Sequence, residues 1–182
     1  MIIAKEKRYT NIAEYILYMW QIEDIIRAYK FDIDEIEKNI ISKYDQPENI
    51  LKEIRYWYIS LIEMMTSEEI RETGHMQIIN TTVMDLYSFH LQLLKNNNEK
   101  KYIQVYESAK ENIGDFESKL EQTGENEIQT CLTALYAILL MRLQKKEIYK
   151  ETENAIQSFS NLLALLSEKY KLFEKGKLDI YN

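Results

Sequence analysis

The residues of this chain whose types suit chemistry are two histidines, one cysteine and a short band of charge on an otherwise apolar helix. Glu72-Thr73-Gly74-His75 spells the Glu-x-x-His element of di-iron helical bundles. That site needs two such elements and two further carboxylates on facing helices; this chain has one, and it straddles a glycine. His90 follows His75 by 15 residues, about 22 Å along a straight helix, too far for both to hold one ion. No metal and no cofactor is therefore expected. Glu68-Glu69-Ile70-Arg71-Glu72 reads as Glu-Glu-x-x-Glu, half of the magnesium motif of all-α nucleotide pyrophosphohydrolases. The other half, Glu-x-x-Asp, is absent between Met76 and Asn97. With 29% charged residues such strings arise by chance, and a solvated acidic helix start accounts for this one.

The remaining candidates weigh against nucleophilic or phosphoryl chemistry. Arg71 and His75 echo the Arg…His pair of HEPN-type ribonucleases. They lie too close together, and Glu72 stands where asparagine usually follows. Cys131 sits between Ile128 and Leu132 with no histidine near in sequence, which suits an inert buried thiol. Four scattered glycines cannot form a phosphate-cradling loop. No catalytic residue is assigned. His90 falls on the stripe of Leu86, Tyr87 and Leu94 and is expected as a hydrogen-bonded core histidine. The candidate ligand pocket is centred on the first helix. Trp20, Glu23, Asp24 and Arg27 share one face of the first helix at about 100° per residue. Buried charge must be paired, so Glu23 should meet Arg27 at i, i+4. His90 and Arg142 would approach this polar floor from other inner helices.

Composition bounds what such a site serves. The chain has 182 residues, a formal charge of −7 and a pI near 5.1. An acidic surface repels phosphate backbones, so nucleic acid is not an expected partner. One cysteine permits no internal disulfide and suits a reducing compartment. Ile2-Ile3 precede Lys5, Glu6, Lys7 and Arg8, the reverse of a secretory signal, and no apolar run reaches the about 20 residues that span a bilayer. These features point to the cytoplasm, with no membrane partner. Fourteen tyrosines suit half-buried positions and interfaces, although Ile, Lys, Asn and Tyr are abundant together, as in a biased genome.

The elements that must position these residues are helices. One proline and four glycines are too few for the tight turns of sheet folds, and apolar spacing near 3.6 runs throughout. The pattern predicts an all-α, single-domain antiparallel bundle of about seven helices across residues 1–182. The first spans about Asn11–Tyr29 and is apolar almost all round. The second opens at Asp32 with Glu35 as a capping box and carries Ile33, Ile36, Ile40 and Tyr44. Pro47 starts the third, with Ile50, Ile54, Trp57, Leu61 and Met65 inward. Gly74 either ends a helix or kinks one. The fourth, about His75–Leu94, shows Met76, Ile79, Val83, Leu86, Tyr87 and Leu94. After Asn96-Asn97-Asn98 the fifth runs over about Glu99–Gln122 on Tyr102, Tyr106, Ala109, Ile113, Phe116 and Leu120. Gly124 ends the next loop and Asn126 caps the sixth, apolar on nearly every side to Leu143. The seventh carries Ile156, Phe159, Leu162, Leu163, Leu166, Tyr170 and Phe173, and a flexible tail follows from about Gly176.

Three strings carry a resemblance. Ile12–Ala28 (IAEYILYMWQIEDIIRA), Asn126–Ile148 (NEIQTCLTALYAILLMRLQKKEI) and Phe159–Lys171 (FSNLLALLSEKYK) resemble helices of an uncharacterised domain-of-unknown-function family of short all-helical proteins of Bacteroidetes-type bacteria. The likeness spans essentially the whole chain. It implies a stand-alone helical protein and transfers no activity. Exclusion leaves a non-catalytic cytosolic protein acting through protein–protein contact, as a homodimer in the first instance. The alternatives are a bundle binding a small metabolite or nucleotide between helices one, four and six, and a nucleotide-directed hydrolase or nuclease.

Overall fold

A computed structural model describes residues 2–119 and 126–178. Among these residues there are eight α-helices, one 3-10 turn and no strand. They are α1 (Ile2–Thr10), α2 (Ile12–Ala28), α3 (Ile33–Asn39), the 3-10 turn Ile41–Lys43, α4 (Glu48–Ser67), α5 (Gln77–Lys95), α6 (Lys100–Lys119), α7 (Glu127–Leu143) and α8 (Lys150–Glu174). The all-α reading holds, with one helix more than the pattern predicts. The addition is α1, whose charged run Lys5–Arg8 carries no apolar stripe long enough to register as periodicity. Leu120, Gly124 and the tail beyond Leu178 lie outside the described residues.

The chain divides into two compact units. The first takes the residues up to Arg8 and Glu14–Thr81; the second takes Tyr9–Ala13 and the chain from Thr82 onward.

In the first unit, α2 is enclosed as its apolar circumference requires: only Glu14 and Ala28 of its residues are exposed. The expected second helix is shorter than its pattern. The Asp32 carboxylate accepts from the amides of Asp34 and Glu35 at 2.9 and 3.2 Å, capping α3. Glu35 turns to Asn39 instead of back to the cap. At Ile40 the backbone leaves the α region (φ −121°, ψ −60°) and a 3-10 turn buries Ile41. Two successive β-branched residues, stiff at χ1, favour that departure. On α4 the inward side chains Ile54, Leu61 and Met65 are joined by Tyr58, fully buried and missing from the predicted stripe.

In the second unit, α6, α7 and α8 pack on one another in all three pairings. Tyr102, Tyr106, Ala109 and Ile113 of α6 face Phe159, Leu162, Leu163 and Leu166 of α8, all buried. Helix α7 buries Ile128, Cys131, Leu132, Ala134 and Ile138, while Thr133, Ala137 and Arg142 are exposed and Leu143 is 67% exposed. The nearly all-round apolar pattern of this helix is therefore not matched by burial on every side, since Thr133 and Ala137 lie on an exposed edge. On α5, Phe89 and Leu93 complete the buried stripe in place of Tyr87 and Leu94.

The helix between Ser67 and Gln77 is broken, not kinked. Helix α4 ends on the amide of Ile70 bonding Met65 O and that of Glu69 bonding Thr66 O, the paired closure of a Schellman motif. Gly74 at φ +92° then reverses the chain. A Cβ there would also meet Ile70 Cγ2 at 3.3 Å. The same paired closure ends α2, α7 and α8, with Lys30, Lys145 and Gly176 in the left-handed position. Only the last is a glycine, so three stops hold a side chain in a conformation that costs about 1–2 kcal/mol. Lys145 is exposed at φ +56° and makes no bond among the described residues that substitution would lose. Lys145→Gly should raise stability by about 0.5–1 kcal/mol, the strain relieved less the added unfolded-chain entropy. Differential scanning calorimetry should show this as a rise of about 1–4 °C in Tm; an unchanged or lowered Tm contradicts the strain assignment.

Candidate functional site

The first unit buries one carboxylate completely. Glu23 on α2 has no exposed surface, and an isolated buried charge is untenable without partners. The connection from α4 to α5 supplies them. His75 Nδ1 lies 2.5 Å from Glu23 Oε2, and the Met76 amide donates to Oε1 at 2.9 Å. The imidazole stacks on the Trp20 indole, with centroids 4.4 Å apart and planes 14° apart. One edge of the ring is thus held by a carboxylate and one face by an aromatic. Its other nitrogen, Nε2, bonds no group among the described residues, and the His75 side chain is 30% exposed. The carboxylate and the indole together fix the orientation of a ring that is partly open to solvent.

Around this dyad the same face of α2 grips the connection. Arg27 pairs with Asp24 at 3.0 Å and donates to the carbonyls of Ile70 and Gly74. The predicted Glu23–Arg27 pair is therefore replaced by two others: Glu23 meets His75, and Arg27 meets Asp24. The i, i+3 spacing suits the short aspartate, and Glu23 is claimed by the Met76 amide and the imidazole. Glu68 accepts from the Gln77 amide at 2.7 Å at the start of α5, so the acidic string serves as a helix cap. Arg71 lies over the Phe31 ring, 4.9 Å from its centroid, and is not bonded to His75. Among the described residues no three His, Cys, Asp or Glu side chains converge.

The second unit buries the other histidine. His90 has no exposed surface; Nδ1 lies 2.6 Å from the Tyr102 hydroxyl and Nε2 lies 3.2 Å from Glu127 Oε2. Tyr106 donates to the other Glu127 oxygen at 2.7 Å. A neutral ring satisfies all of these: Tyr102 O–H donates to Nδ1, and Nε2–H donates to the carboxylate. Burial holds the imidazole below its ordinary value of 6.5, against the opposing pull of Glu127. Burial likewise pushes the Tyr102 and Tyr106 phenols and the Cys131 thiol up. Every group here is closed, as a core network requires.

Of the six predicted pocket residues, Trp20, Glu23, Asp24 and Arg27 do lie together on α2. His90 and Arg142 belong to the second unit. Arg142 is exposed near the end of α7, about 22 Å along that helix from Glu127 at 1.5 Å per residue, and so is remote from His90. Its position near the helix terminus suits the α7 dipole instead. Sequence reasoning missed His75 as the partner of Glu23 and missed Tyr102, Tyr106 and Glu127 around His90. Two tyrosines at i, i+4 on a buried stripe signalled hydroxyls in need of partners.

A family model described as a domain of unknown function, DUF4924, matches residues 1–177. The chain belongs to this family. No curated protein and no solved structure matches it. Membership extends over both histidine sites, and it carries no activity with it.

Two substitutions read the two networks apart. Glu23→Gln keeps the shape and removes the charge that holds the His75 ring and the Met76 amide. It should destabilise by about 1–3 kcal/mol, seen as a lower urea midpoint with unchanged m. A midpoint at or above that of the parent chain contradicts the structural weight given to Glu23. For His90, a lowered folded value means that the unfolded chain binds the proton first. Stability is then fully present above about pH 6.5 and is lost as pH falls below it. Thermal melts between pH 7.5 and 5.5 should fall less steeply in His90→Gln than in the parent; equal slopes would remove His90 as the cause.

Proposed function

We propose that this chain is a cytoplasmic, non-catalytic helical protein that works by associating with a second copy of itself. The observation behind this reading is a cleft of about 330 Å³ in the first unit, lined by Ile2, Lys5, Ile50, Glu53 and Ile54. Its floor is apolar, and its two charges, one of each sign, have no partner among the described residues. A two-fold interface sets one patch against itself. Each copy's Lys5 then meets the other's Glu53 while the isoleucines are covered. Ile2 at 57% and Tyr56 at 69% exposure leave more apolar surface on α1 and α4 than a solitary chain needs.

Light scattering at micromolar concentration should give twice the 21.9 kDa chain mass. Lys5→Glu opposes two carboxylates across the interface and should weaken association at least about tenfold, and Lys5→Glu with Glu53→Lys should restore it. A monomer mass for the parent chain rejects the reading, and a dimer indifferent to both charges places the interface elsewhere.

A second reading draws on the partly exposed His75 ring. An imidazole held in one orientation suits a small polar metabolite that hydrogen-bonds to it, and such binding is compatible with a self-associating protein.

A further inference from the structure

A second cleft, in the second unit, has a different chemistry. It is a shallow cleft of about 230 Å³ between one face of α5, carrying Asp85, Ser88, Phe89 and Gln92, and Tyr170 and Phe173 of α8. Phe89 forms the floor, 5.4 Å from the Tyr170 ring at 81° and 5.1 Å from the Phe173 ring at 35°. The positions of Asp85, Ser88 and Gln92, at i, i+3 and i+7, place three polar tips along one rim. Those three side chains have no bonded partner among the described residues.

We infer that this cleft binds a small organic ammonium ion, one about the size of choline. Aromatic rings present negative faces to a cation, and Asp85 adds a full, uncompensated negative charge beside them. A bare divalent ion does not fit, because it requires six or more oxygen ligands and the cleft offers one carboxylate among three rings. An anion is opposed by Asp85 and by the net charge of −7. A neutral apolar ligand would leave the Asp85, Ser88 and Gln92 rim unused. The volume corresponds to roughly eight waters at about 30 Å³ each, which suits an ion of seven to ten non-hydrogen atoms. The ammonium carbons lie against Tyr170 and Phe173, with the buried Phe89 beneath them, and the charge lies toward Asp85. A hydroxyl on the ligand reaches Ser88 or Gln92.

The probe is choline, compared with its uncharged isostere 3,3-dimethylbutan-1-ol, titrated into the full chain at constant ionic strength and followed by saturation-transfer NMR. Choline should bind with Kd in the millimolar range, about 1–10 mM, as a shallow aromatic site with one charge supports. The isostere should bind at least about tenfold more weakly. Asp85→Asn, an exposed change that leaves the core untouched, should cost choline about tenfold and the isostere nothing. Phe173→Leu should weaken choline while circular dichroism shows the helices intact. Asp115→Asn, which removes a charge on α6, should change neither. Choline undetected at about 50 mM, equal affinity for the two probes, or indifference to Asp85→Asn overturns the assignment. Co-sedimentation with phosphatidylcholine vesicles, equally lost in Asp85→Asn, would overturn the free small ion in favour of a lipid headgroup.

Discussion

A carboxylate without any exposed surface sets the terms for the first unit. Glu23 stands in the middle of α2, on a helix enclosed on almost every side. An unmatched charge there is too costly to survive. Its match comes from the segment between α4 and α5, a stretch with no regular structure to hold it. The face of α2 bearing Trp20, Glu23, Asp24 and Arg27 acts as a clamp. Trp20 takes the ring of His75, Glu23 takes its edge and the next amide, and Arg27 takes two carbonyls. The irregular backbone finds in α2 the partners that buried or half-buried peptide groups require. The helix in turn finds hydrogen-bond partners for Glu23 and Arg27 in the loop.

The second unit meets the same difficulty with a closed circuit. Tyr102, His90, Glu127 and Tyr106 bond one another, both imidazole nitrogens are engaged, and burial favours the neutral ring. The two histidines thus differ in one decisive respect. Both lean on a glutamate, but His90 has no atom left over, whereas His75 keeps Nε2 outside the pair. His90 is wholly enclosed, whereas the His75 side chain is 30% exposed.

Much of this was legible in the residues. Apolar period, the scarcity of glycine and proline, and the caps at Asp32 and Asn126 led to the helices and most of their boundaries. The polar face of α2 was visible as a group because charge on an apolar helix has to be matched. Its partners were not, since periodicity within a helix says nothing about which loop will lie across it. His75 stands beside a glycine in a string that also reads as an acidic metal motif, and its bond to Glu23 joins residues 52 apart. The helix stops on Lys30, Glu69 and Lys145 were equally hidden. Their closure comes from backbone bonds that many side chains tolerate, so no glycine announces them. Helix α1 escaped for the opposite reason: its charges dilute any stripe.

Both tryptophans of the chain, Trp20 and Trp57, lie in the first unit, and the second holds none. Indole emission is therefore a local signal. It sees the clamp on His75 through Trp20 and the α4 interior beside Tyr58 through Trp57, and it has no reporter on α6, α7 or α8. Helicity, by contrast, is spread over both units. Fluorescence and circular dichroism thus view different parts of one chain, and coincidence of their transitions is the criterion of cooperative unfolding. The placement of two side chains makes the thermodynamic coupling of the units an optical measurement that needs no label.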